Sequence, residues 1–130
     1  MIIDSSALIS LLREEPDRDR LLNALVGARD GILMSTANYL ETSIVIDSNN
    51  SDLLSSRLDA AIDLWRIELV PVSTTQAQLA RAAYRRYGKG RHRAGLNFGD
   101  CFAYALAKDT GRPLLFRGDD FLHTDITAAA

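Results

Sequence analysis

The sequence has little cysteine, proline, histidine or lysine. Its 130 residues include one cysteine, three prolines and two histidines, and lysine stands only at Lys89 and Lys108. A lone Cys101 forms no internal disulfide and excludes a multi-cysteine zinc site. No Pro/Gly-rich linker, repeat or low-complexity tract divides the chain, so one domain over residues 1–130 is expected. No run approaches the roughly 20 apolar residues that cross a bilayer. Met1-Ile2-Ile3-Asp4 lacks the basic start and long apolar core of a signal peptide, which points to a cytoplasmic protein without a membrane partner. With hydrophobic residues at 47% and charged residues at 25%, the chain reads as folded rather than disordered.

Charge is present but unevenly placed. The net charge of −2 conceals a segment, residues 69–99, with six bases and no acid. Arg81, Arg85, Arg86, Lys89, Arg91 and Arg93 are interleaved there with Tyr84, Tyr87 and His92. Basic side chains neutralise phosphates and aromatic rings stack on exposed bases. A solvated helix face running into a loop has the same composition, so the segment alone leaves both readings open.

Short apolar runs alternate with helical spacing. Met1–Asp4, Ile32–Met34, Leu69–Val72 and Pro113–Arg117 read as strands, with Ile126 a candidate for one more. Helices are expected over Ser5–Glu14, Pro16–Ala28, Thr36–Ser48, Asp52–Glu68, Thr74–Tyr87 and Asp100–Thr110. Ser35 or Thr36, and Thr74 or Thr75, suit helix caps, and Gly88 and Gly111 suit helix ends. Strands separated by helices indicate an α/β fold, its mainly parallel sheet covered on both faces. In such folds the working cleft lies beyond the carboxyl ends of the strands.

Carboxylates gather in the segments that reach that edge. Asp4 ends the first strand, Glu41 lies on the helix after the second, and Asp100 opens the helix after the basic loop. Asp119 and Asp120 follow the last strand. Each has a plainer role available, as a helix cap, an exposed helical residue or a turn residue. Together they form a cluster whose mutual repulsion a hard divalent cation removes. Such an ion activates water for phosphodiester cleavage, and the basic segment holds the rest of the polyanion. A receiver-type signalling domain needs a lysine after its last strand, which is absent. A haloacid-dehalogenase-like phosphatase needs a second Asp where Ser6 stands.

Five pieces, in order, carry a resemblance. They are Met1–Ala7 (MIIDSSA), Met34–Thr42 (MSTANYLET), Tyr84–His92 (YRRYGKGRH), Leu96–Cys101 (LNFGDC), and Pro113–Phe121 (PLLFRGDDF) continuing to Ile126. In these the chain resembles the PIN-domain family, specifically the VapC-type toxin ribonucleases of toxin–antitoxin systems. The resemblance implies a three-layer α/β/α fold and a prokaryotic Mg²⁺- or Mn²⁺-dependent endoribonuclease. Such an enzyme cuts structured RNA (tRNA or rRNA) by metal-activated water and halts translation until its antitoxin neutralises it. It implies Asp4, Glu41 and Asp100 as catalytic metal ligands, with Asp119 as the fourth acid and Asp120 as the alternative, because the family's strict position falls on Gly118. Ser6, the small hydroxyl residue beside Asp4, is expected as a supporting residue that holds a metal-bound water or a phosphate oxygen, and Asn97 as one that orients Asp100. Lys89, Arg91, His92, Arg93, Arg85 and Arg86 are expected to meet RNA. A VapB-type antitoxin, a homodimer and a toxin–antitoxin hetero-oligomer are the expected assemblies. The rival expectation is a catalytically silent RNA- or antitoxin-binding module on the same fold.

Overall fold

A computed structural model describes all residues, 1–130. Four parallel strands form one sheet in the order β3-β2-β1-β4. They are β1 (Ile2–Ile3), β2 (Ile32–Ser35), β3 (Ile67–Val70) and β4 (Leu114–Leu115). Six helices connect and cover them: α1 (Ser5–Leu12), α2 (Arg18–Val26), α3 (Thr36–Asp47), α4 (Asp52–Leu64), α5 (Thr74–Tyr87) and α6 (Phe98–Thr110). A 3₁₀ turn follows over Asp120–His123.

Alternation along the strands builds two cores. Ile3, Met34 and Leu115 pack with Leu8, Leu21, Ile46 and Leu58 of α1–α4. Ile2, Leu114 and Phe116 face the other way, onto Ala80, Ala83, Tyr104 and Leu106 of α5 and α6. Successive strand side chains point to opposite faces, so the two-residue strand β1 feeds both layers. Each fully buried Ile or Leu contributes about 1.5–3 kcal/mol, which lets such short strands hold. The result is the expected α/β/α sandwich, with β1 at its centre.

Several boundaries differ from expectation for local reasons. α4 stops at Leu64 instead of continuing to Glu68, because Arg66 turns the chain at φ 48°. β3 therefore starts at Ile67, paired with Ile32, rather than at Leu69. No Gly or Asn marks that turn in the sequence. α2 begins at Arg18 rather than Pro16, and α6 begins at Phe98 because Asn97 caps it. Ser73, not Thr74 or Thr75, caps α5 through the Gln76 amide. Gly111 ends α6 in the left-handed conformation (φ 66°). Gly88 does not: its backbone is extended, and glycine is needed there because a Cβ would strike the Tyr84 ring. Ile126 joins no strand; Ala128 makes a single bridge to Leu114 instead.

Candidate active site

The amino ends of α1, α3 and α6 meet at the carboxyl edge of the sheet. Asp4 is the residue after β1 and the N-cap of α1. Its Oδ2 accepts from the Ser6 amide at 3.0 Å and the Ser6 hydroxyl at 2.5 Å. Ser6 Oγ in turn accepts from the Arg117 amide at 3.0 Å, which ties the end of β4 to Asp4. Asp100 belongs to a capping box: its Oδ2 accepts from the Asn97 amide and its own amide donates to Asn97 Oδ1, both at 2.9 Å. One oxygen of each aspartate is thus committed to the fold. Glu41 stands on α3, half-buried, against the first turn of α6.

Electrostatics agree with this placement. Burial pushes the Asp4 carboxyl up to about 6; the Ser6 bonds pull it down and the Glu41 charge adds to the rise. Burial also pushes Asp100 up to about 7, opposed by the Asn97 amide and reinforced by Asp4, Asp120 and Glu41. Three carboxylates therefore act on one another across three elements. Cys101, next in α6, is buried, and burial holds its thiol at about 11, which leaves it protonated and unsuited to nucleophilic work.

Asp119 and Asp120 part company here. Gly118 turns the chain at φ 89°, and both aspartates that follow are exposed. Asp120 is among the charges acting on Asp100. Asp119 precedes the 3₁₀ turn with no side-chain cap bond, and its backbone carbonyl accepts from the Leu122 amide.

The basic segment is built differently. Arg85, Lys89 and Arg93 are exposed and form no salt bridge. Arg91 lies 5.3 Å over the Tyr84 ring, and Arg86 lies 4.8 Å over Tyr87 with Asp125 at 3.8 Å. His92, expected at the RNA surface, is half-buried. Its Nδ1 accepts from the Ala94 amide at 3.0 Å and its ring meets Tyr87 edge-on.

The donor set suits a hard divalent ion. Every candidate ligand is a carboxylate oxygen; burial raises Asp4 and Asp100, neighbouring carboxylates add to the rise, and cation charge offsets that repulsive part. No three His, Cys, Asp or Glu side chains close a ready-made cage.

Two residues escaped sequence reasoning. Asn38 is fully buried at the start of α3, and its Nδ2 donates to the Gly99 carbonyl at 2.9 Å. Gly99 packs directly on Glu41. A glycine in a first helical turn is the one signal that marked this contact.

The PIN domain pattern matches residues 1–126. Ribonuclease VapC30 of Mycobacterium tuberculosis is 54% identical over 130 residues, covering 100% of this chain and 98% of that one. Among solved structures, Mycobacterium tuberculosis VapC20, described as a sarcin-ricin loop cleaving toxin, superposes with a TM-score of 0.77 at 13% identity, covering 97% of this chain and 95% of the other. A toxin–antitoxin complex from Klebsiella pneumoniae superposes with a TM-score of 0.72 at 18% identity, over 95% and 92% of the two chains.

Proposed function

This chain belongs to the PIN-domain family, and from that premise we propose that it is a VapC-type toxin, an endoribonuclease dependent on Mg²⁺ or Mn²⁺. The observation that carries the proposal is the meeting of Asp4, Glu41 and Asp100, from three separate elements, at the carboxyl edge of the sheet. A bound divalent ion supplies Lewis acidity: it activates water and stabilises the leaving oxygen of a phosphodiester.

The chain's own residues do the rest. Asp4, Asp100 and Glu41 would hold the ion. Ser6 holds Asp4 in one rotamer and Asn97 does the same for Asp100. Asp120 serves as the fourth acid. Arg85, Lys89, Arg91 and Arg93 hold neighbouring phosphates. The substrate class is structured RNA, tRNA or rRNA, by analogy with the sarcin-ricin loop cut by VapC20. A VapB-type antitoxin that covers the acidic edge, a homodimer and a hetero-oligomer of toxin and antitoxin complete the reading. No helix is long and apolar enough to cross a membrane.

The test is cleavage of total RNA by purified protein with Mg²⁺, Mn²⁺ or EDTA, beside Asp4→Asn, with the new 5′ ends sequenced. Discrete metal-dependent cuts with 5′-phosphate and 3′-hydroxyl ends, absent in the variant, are expected. Ends bearing 2′,3′-cyclic phosphate would sink the water-attack mechanism. No cutting by folded, metal-loaded, antitoxin-free protein favours the silent binding module.

A further inference from the structure

The glycine at position 99 is not explained by its backbone. It lies in the first turn of α6 and lacks a positive φ. Alanine is the better helix former at such a position. What the position requires is the absence of a side chain. A Cβ there would stand 2.6 Å from both Cδ and Oε1 of Glu41, closer than such atoms approach. The same residue's carbonyl accepts the Asn38 amide at 2.9 Å. Asn38 Nδ2 also lies 3.5 Å from Glu41 Oε1, and the Asn38 carbonyl accepts from Ser5 Oγ at 3.1 Å. One buried residue therefore touches the segments carrying Asp4, Glu41 and Asp100.

We propose that Asn38 and Gly99 form a clamp that seats the Glu41 carboxylate against the first turn of α6, making both of them positioning residues for the acidic centre. The inference rests on the reading of that centre as a divalent-ion nuclease site. The Asn38 amide locks α3 to α6 through a neutral donor, which adds no charge to a crowded set of carboxylates. Gly99 supplies the room. A carboxylate held in this way pays its ordering entropy during folding rather than at ion binding.

Gly99→Ala separates positioning from stability. The clashing atoms belong to the end of a flexible side chain, so Glu41 swings away while the helix gains a better former. We expect a melting temperature equal to or above that of the wild type. Mn²⁺ affinity by titration calorimetry should fall about 10-fold or more, the range typical when a ligand's supporting contact is lost. RNA cleavage should lose kcat with KM for RNA nearly unchanged. In a Glu41→Gln background Gly99→Ala should cost no further Mn²⁺ affinity, because the group it displaces has already lost its charge. Asn38→Ala should weaken Mn²⁺ binding in the same direction, measured below its own melting temperature. Wild-type Mn²⁺ affinity and kcat in Gly99→Ala overturn the clamp alone. A wild type that neither binds Mn²⁺ nor cleaves RNA overturns the reading of the centre, and the clamp with it.

Discussion

The acidic edge and the basic segment carry opposite charge and are made in opposite ways. At the acidic edge charge is buried and tied: Asp4 is 2% exposed, and Asp4 and Asp100 each commit an oxygen to a helix cap. In the basic segment Arg85, Lys89 and Arg93 reach solvent with no ion-pair partner. A reaction centre needs fixed geometry, and burial with hydrogen bonds supplies it at an electrostatic cost. A surface for a flexible polyanion needs reach and charge, which long exposed side chains supply without order. Under the proposed function the difference separates chemistry from attachment, and substitutions in the two regions should fail in different ways.

The strongest separation is expected at Asp4. Asp4→Asn keeps an N-cap acceptor and removes the charge. Cleavage should fall by a factor on the order of 10³ or more, with RNA affinity held or raised because a negative charge has gone. Single-turnover cleavage and filter binding on the same RNA check both halves. Equal losses in binding and cleavage would erase the distinction between the regions.

The loop after β4 gives the next largest effect. Asp120→Asn should slow cleavage by about 10- to 100-fold, the range for a residue that tunes a metal site. Asp119→Asn should change it by less than about twofold, as for surface substitutions away from such a site. Parallel kinetics on the two variants decide the order. The reverse order would make Asp119 the fourth acid.

How much of this was legible depends on range. Asp4, Glu41 and Asp100 could be found because parallel topology sends the ends of β1 and β2 and the start of α6 to one edge. The sandwich was legible for the same reason, since alternation in Ile2-Ile3 and Leu114-Leu115 needs covering on both faces. The Asn38–Gly99 bond joins residues 61 apart, and no local pattern announces it. Asp119 and Asp120 are neighbours with the same chemistry, both exposed after the turn at Gly118, so no local pattern separates them. The end of α4 was missed because Arg66, a residue with no preference for positive φ, makes the turn. His92 stands among basic neighbours in the sequence, and its local bond from the Ala94 amide is not marked there.

Proton linkage provides a smaller test that involves no RNA. The Asp4 and Asp100 carboxyls lie at about 6 and about 7, against 3.8 for a free aspartate. Between those limits the metal-free folded protein holds protons that the unfolded chain has released. Stability therefore rises as pH falls from 8 through 7 to 6. Most acid-sensitive proteins run the other way, because their carboxylates are depressed by partners. Thermal melts of EDTA-treated protein should show the midpoint climbing over that interval. Saturating Mn²⁺ should raise the midpoint at pH 8 and flatten the dependence, since the ion replaces the protons. A pH-independent midpoint in EDTA would mean that neither burial nor the neighbouring carboxylates raise Asp4 and Asp100.

The mildest effects belong to the basic segment, and they also grade it internally. Arg93→Ala or Arg85→Ala should weaken RNA binding only a few-fold, by about the same factor on every RNA. Each should reduce the slope of log affinity against log salt by about 0.7 if the RNA there is single-stranded. Arg86→Ala should do less to binding and more to stability, because its guanidinium already stacks on Tyr87 and faces Asp125. His92→Ala should loosen the loop through the Ala94 amide and the Tyr87 edge rather than remove an RNA contact. Salt titrations of binding for the four variants, beside their melting temperatures, place each residue on one axis or the other. If His92→Ala alone produced a sequence-dependent loss of affinity at unchanged melting temperature, the ring would be reading a base. The segment would then share the fixed geometry that now sets the acidic edge apart.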